Sequence, residues 1–164
     1  MKSEFAIHVA KENLKFSAAH FIAYPGFREP LHGHNYQVGV RVEGKLASNG
    51  YVIDFGLIKK IVKAIVDQID ERTIIPADSD CLQIDRPNER QVRVRYEADE
   101  FIFPAADVAM LPIVHSSAEE IARYIWSELV AGLRSRSAAD EAEVIEISVA
   151  EGPGQAAIYR KPVT

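Results

Sequence analysis

The chain has 164 residues, 48% of them hydrophobic, which suits one globular domain over residues 1–164 with a sizeable core. Its formal charge of −5, with no long basic cluster, argues against a nucleic-acid or anionic-membrane partner. No apolar run approaches the ~18 residues of a membrane span, the first residues lack a signal-peptide core, and Cys81 is the single cysteine, so a cytoplasmic protein is the expectation.

Phe5, Ile7 and Val9 fall on alternate positions of a half-buried strand expected over 4–18, and His8, on the other parity, reads as a surface histidine. The next stretch, FSAAHFIAYPGFREPLHGHNY, holds three of the five histidines. His32 and His34 are two apart, so on a strand they share a face; His20 ends an upstream strand, and Pro25, Gly26 and Pro30 mark a loop that turns the chain back. That layout puts three imidazoles around one ion. Three nitrogen ligands and an open fourth position describe a catalytic zinc site, whereas structural zinc sites are closed by four ligands, mostly cysteine. The plainer alternative is a pair of polar histidines facing solvent. Tyr36, Val38, Val40 and Val42 then alternate with Gln37, Gly39, Arg41 and Glu43, giving the strand one apolar face, which His32 and His34 share.

GKLASNG is a turn, and Leu57, Ile58, Ile61, Val62, Ile65, Val66 and Ile69 recur at helical spacing behind Asp54 as N-cap. Residues 71–114 are punctuated by four prolines; CLQID and QVRVRY suggest a hairpin, followed by a strand EFIFP. Ser117 and Glu120 form a capping box for a helix whose apolar face is Ile121, Tyr124, Ile125, Leu129 and Leu133. After a polar linker, VIEISVAE and QAAIYR make a last hairpin around Gly152 and Gly154. Ile145, Ile147, Val149 and Glu151 share one parity, so Glu151 ends an apolar face, where a carboxylate is costly without a donor. Helices segregated to one face of an antiparallel sheet make the fold class α+β.

FSAAH, HGHNY and the following GYVIDF together resemble the family of 6-pyruvoyl-tetrahydropterin synthase and 6-carboxy-tetrahydropterin synthase. The resemblance implies the tunnelling fold, a four-stranded antiparallel sheet with two helices on one face in the order ββααββ, with 71–114 as an insertion it does not cover. It also implies Zn2+ held by His20, His32 and His34, a pterin substrate anchored by Glu151 with Glu119 nearby, and a homohexamer of two trimers with sites between subunits. Glu119 equally suits a first-turn acid favoured by the helix dipole, and Glu151 a strand-end acid bonding loop amides.

Two departures from the family pattern bear on chemistry. The usual catalytic cysteine is absent, with Arg28 in its place, but Glu29 gives E-x-x-H-G-H, which resembles a variant in which glutamate replaces that cysteine. The family's Asp-His pair falls on Asp70 and Glu71, so its histidine is missing; Asp70 acts alone, or His115 fills the role, or His115 is simply a loop histidine. The expectation is a zinc-dependent pterin lyase that cleaves the side chain of dihydroneopterin triphosphate to 6-hydroxymethyl-dihydropterin and so feeds folate synthesis. The alternatives are a 6-pyruvoyl or 6-carboxy product, the latter on the queuosine route, and a pterin- or purine-binding homologue without turnover. A cupin-like oxygenase is disfavoured because no acid follows His34 at the required spacing.

Overall fold

The computed structural model describes residues 3–164. The longest strand, β5 (His32–Gly44), is the axis of a seven-stranded mixed sheet. On one edge it pairs antiparallel with both β1 (Phe5–Val9) and β2 (Lys15–His20), end to end. The single strand expected over 4–18 is thus two, because the chain turns at Lys11–Leu14, where the Leu14 amide donates to the Lys11 carbonyl. On its other edge β5 pairs with β11 (Val144–Gly152), which continues to β12 (Gln155–Pro162).

The sheet exceeds the four antiparallel strands expected. β6 (Arg72–Pro76) joins β2 in parallel and β10 (Val108–Leu111) joins β6 in parallel, so the two ends of the presumed insertion belong to the main sheet. The segment that leaves it, 77–107, forms an antiparallel sheet of β7 (Gln83–Asn88), β8 (Gln91–Tyr96) and β9 (Asp99–Pro104). This separate sheet buries Leu82, Val92, Val94 and Tyr96 against Phe21, Ala23 and Ile75.

Helix α1 (Phe55–Asp67) starts at Asp54, whose carboxylate accepts from the Gly56 and Leu57 amides. Helix α2 (Ala118–Arg134) starts at Ser117. Both pack on the sheet face that carries Phe16, Tyr36, Val38, Val40, Val42, Ile145, Ile147 and Val149, all at most 2% exposed. Each such side chain contributes on the order of 1.5–3 kcal/mol when fully buried. The opposite face is polar, with Glu43 bridging Arg41 and Arg160. Among the described residues no helix is long and apolar enough to cross a membrane.

Candidate active site

Strand register assembles the histidines. In the β2–β5 ladder His20 faces His32 directly, and His34 faces Ala18, whose small side chain leaves His34 room beside His20. The three ring centroids form a near-equilateral triangle with sides of 4.7, 4.9 and 5.1 Å. Their candidate ligand nitrogens all lie within 4.8 Å of one another. Gly33, between His32 and His34, lies close to β2: a Cβ there would sit 3.1 Å from the Ala18 carbonyl oxygen, a tight contact.

The hydrogen bonds leave the right atoms free. His20 Nδ1 is 2.7 Å from the Ser116 carbonyl oxygen and His32 Nδ1 is 2.8 Å from that of Pro30, so both donate from Nδ1 and keep the Nε2 lone pair. His20 Nε2 is buried without a partner, and an orphaned nitrogen facing two other imidazoles is what a metal ligand requires. Burial pushes the His20 imidazole below the ordinary histidine range, opposed by the Ser116 carbonyl, so the ring is neutral at pH 7 and ready to bind a cation. The donor set therefore fits a metal ion, with zinc suited to three imidazoles.

Glu151 is half-buried, with Oε1 4.0 Å from Nε2 of both His20 and His34. The β11–β12 register shifts between Val149 and Gly152, and this bulge ends regular pairing where Glu151 turns inward. Beside it lies a cavity of about 310 Å³ lined by Ile22, Ser117, Glu119, Val149, Glu151 and Gln155. Glu119, in the first turn of α2, shares that cavity with Glu151. Glu29 Oε2 accepts at 2.9 Å from the amide of Ile22, one of the residues lining that cavity.

Two of the expected residues make no hydrogen bond to the triad in the single chain. Asp70 accepts from the Ser17 amide at 2.8 Å, three residues from His20 along β2, which is roughly 10 Å of strand. Its neighbour Glu71, held at φ +56°, lines a cavity of about 480 Å³ together with Ser17, Ala19, Gly33, His34 and Asn35. His115 is half-buried just before the residue whose carbonyl holds His20, and its amide donates to the Glu120 carboxylate at 3.0 Å.

Three residues take parts at this site that their places in the sequence did not suggest. Ser116 is fully buried; its carbonyl orients His20 while its hydroxyl donates to the Phe21 carbonyl at 2.9 Å. Glu120 makes only half of the expected capping box: its amide donates to Ser117 Oγ, but its carboxylate accepts from the Val114 and His115 amides, fixing the segment that carries Ser116. Tyr36, read as a core strand residue, has a buried hydroxyl without a partner and a ring centroid 5.4 Å from that of His34. Burial, with the charges of Glu151 and Glu29, pushes its phenol far above the ordinary tyrosine range.

A curled sheet backed by two helices, with a histidine triad beside an acidic cavity, defines a metal-binding site of the kind found in tunnelling-fold enzymes. The family model for 6-pyruvoyl tetrahydropterin synthase matches residues 8–162, so the chain belongs to that family of lyase-type enzymes acting on pterins. It is 36% identical to the putative 6-carboxy-5,6,7,8-tetrahydropterin synthase of Methanocaldococcus jannaschii over 149 residues, 90% of either chain. A 59-residue stretch, 36% of this chain and 50% of the relative, is 41% identical to the dihydroneopterin monophosphate aldolase of Pyrococcus furiosus. Among solved structures, the 6-pyruvoyl tetrahydropterin synthase of Plasmodium falciparum superposes with a TM-score of 0.91 at 40% identity, covering 98% of this chain and 99% of the other. The Plasmodium vivax enzyme, with a glutamate described as a catalytic residue replaced by alanine, superposes with a TM-score of 0.90 at 35% identity, covering 96% and 98%.

Proposed function

We propose that this chain is a zinc-dependent pterin lyase that cleaves the side chain of 7,8-dihydroneopterin triphosphate, or a close relative, to 6-hydroxymethyl-dihydropterin. The observation that carries this reading is the cluster of three imidazoles whose ligand nitrogens lie within 4.8 Å of one another, with Glu151 Oε1 4.0 Å from two of them and lining a cavity together with Glu119. His20, His32 and His34 would hold the zinc, which supplies Lewis acidity to the side-chain hydroxyls of the substrate.

The chain's own residues do the rest. Glu151 accepts two hydrogen bonds from the pterin edge, N3–H and the 2-amino group, and so orients the side chain towards the histidines. Glu29 takes the proton of the side-chain hydroxyl on the second carbon from the ring. The bond between the first and second carbons then breaks: the second carbon leaves as an aldehyde, and the electron pair passes into the pterin system. Returning the proton to the first carbon gives the 6-hydroxymethyl product, so atoms and charge balance. His115, next in sequence to the Ser116 anchor, would assist proton movement. Asp70 would serve a site completed by a neighbouring copy in the expected hexamer.

The aldolase name of the Pyrococcus furiosus relative and the catalytic glutamate of the Plasmodium vivax enzyme support this outcome. The Methanocaldococcus jannaschii relative favours a second reading, formation of a 6-carboxy product, because it matches nearly the whole chain. Incubating zinc-loaded protein with 7,8-dihydroneopterin triphosphate and identifying pterins by chromatography and mass spectrometry separates the two. A 6-hydroxymethyl product, lost by about 10²- to 10⁴-fold in Glu29→Gln with zinc retained, is expected. A 6-carboxy or 6-pyruvoyl product would replace this reading with the second, and full turnover in Glu29→Gln would remove Glu29 from the chemistry.

A further inference from the structure

We propose that the three-stranded sheet of residues 77–107 is a positioning device for Glu29, acting through the tip of its β8–β9 hairpin. This rests on the reading of Glu29 as the base. Glu29 ends a small hairpin made of β3 (Ala23–Tyr24) and β4 (Phe27–Arg28), turned at Gly26 with φ +86°. The hairpin closes on itself through Ile22 and Glu29, whose amides donate to the Glu29 carboxylate and the Ile22 carbonyl, both at 2.9 Å. Two short strands of this kind are marginal alone, and Tyr24 and Phe27 at the turn are 49% and 44% exposed.

The inserted sheet supplies what the hairpin lacks. Tyr96 and Asp99 face each other across the β8–β9 turn, so one tip carries both grips. The Tyr96 hydroxyl donates to the Tyr24 carbonyl on β3 at 2.9 Å. The Asp99 carboxylate accepts from Arg28 Nε at 3.0 Å and from its Nη2 at 2.7 Å, on β4. Arg28 in turn donates to the Glu29 carbonyl at 2.9 Å and lies over the Phe101 ring, 5.0 Å from its centroid. Phe101 stacks on Phe21 at 4.9 Å, next to His20 in sequence. Both strands of the hairpin, and the residue preceding Glu29, are therefore tied to one turn of the inserted sheet. A base displaced by about 1 Å can lose on the order of 10²-fold in rate, so a device that fixes Glu29 acts on turnover without touching substrate.

The test uses Tyr96→Phe, Asp99→Ala and the pair of them in the zinc-loaded full chain. The Asp99 side chain is 53% exposed and Tyr96→Phe keeps the ring, so folding and zinc content should hold. Hydrogen exchange at the Ile22 and Glu29 amides should speed by at least about tenfold in the double variant, which loses the two charge-assisted hydrogen bonds from Arg28 and the neutral one to Tyr24. kcat should fall by about tenfold with KM changed less than about twofold, and the same pair placed in Glu29→Gln should cause no further loss. Unchanged exchange overturns the grip. Faster exchange with unchanged kcat, or an additive loss in Glu29→Gln, overturns its action through Glu29. If Glu29→Gln alone keeps full activity, the base assignment fails instead, and exchange still reports whether the hairpin is held.

Discussion

Within the seven-stranded sheet, His20, His32 and His34 are placed by the register of two neighbouring strands joined by a short loop. The hairpin bearing Glu29 is placed by side chains 71 and 72 residues further along the chain, in the three-stranded sheet. The difference teaches that the proposed metal ligands and the proposed base are placed by separable parts of this chain. The ligands depend on backbone pairing that any disturbance of the core would threaten. Glu29, the proposed base, depends on a few polar contacts at the tip of a satellite structure, so it can be loosened while the histidine triad stands.

The comparison breaks most severely at the triad. His20→Ala removes the buried ligand and the nitrogen fixed by Ser116, and should abolish stoichiometric zinc as measured by elemental analysis. Turnover should fall by more than about 100-fold, since even the partners of metal ligands cost 10- to 100-fold. Hydrogen exchange in the β7–β9 sheet should be unchanged, because that sheet packs through Val92, Val94 and Leu82 and not through the histidines. A smaller effect is expected at Glu151→Gln. Losing a charge-assisted pair of hydrogen bonds is worth about 1.5–3 kcal/mol, or roughly ten- to 150-fold in KM, with zinc retained. Loss of zinc in that variant would make Glu151, 4.0 Å from two ligand nitrogens, part of the metal site and not of the pterin pocket.

What could be read from the sequence follows the same division. The period of two along β5 gave both the apolar face and the shared direction of His32 and His34, and the parity of β11 pointed to Glu151. The helical spacing behind Asp54 and Ser117 located α1 and α2. β6 and β10 escaped because each is five residues or fewer and finds its partner in parallel, a pairing without local signal. Ser116 escaped for another reason: the atom that orients His20 is a backbone carbonyl, which every residue type has. Glu120 was legible as a helix-start acid, but the amides its carboxylate accepts from belong to the preceding segment and not to Ser117. Arg28 was noticed only as the residue standing where a cysteine was expected; its partner Asp99 lies in the stretch the family resemblance did not cover.

The mildest test asks whether the back of the sheet speaks to either region. Asp54 accepts from the Gly56 and Leu57 amides at the exposed start of α1, satisfying two of the donors that a helix N-terminus leaves free. Helix α1 packs against α2, β1 and β2, but its N-cap touches neither the cavity beside Glu151 nor the three-stranded sheet. Asp54→Ala should therefore cost about 1 kcal/mol of stability in urea denaturation while zinc content, kcat and exchange at Glu29 stay as they are. If kcat fell with the cap, strain at the start of α1 would have to travel through its contact with β2 to His20. The triad would then depend on helix packing as well as on strand register, and the separation between ligand placement and base placement would hold only on the side of the base.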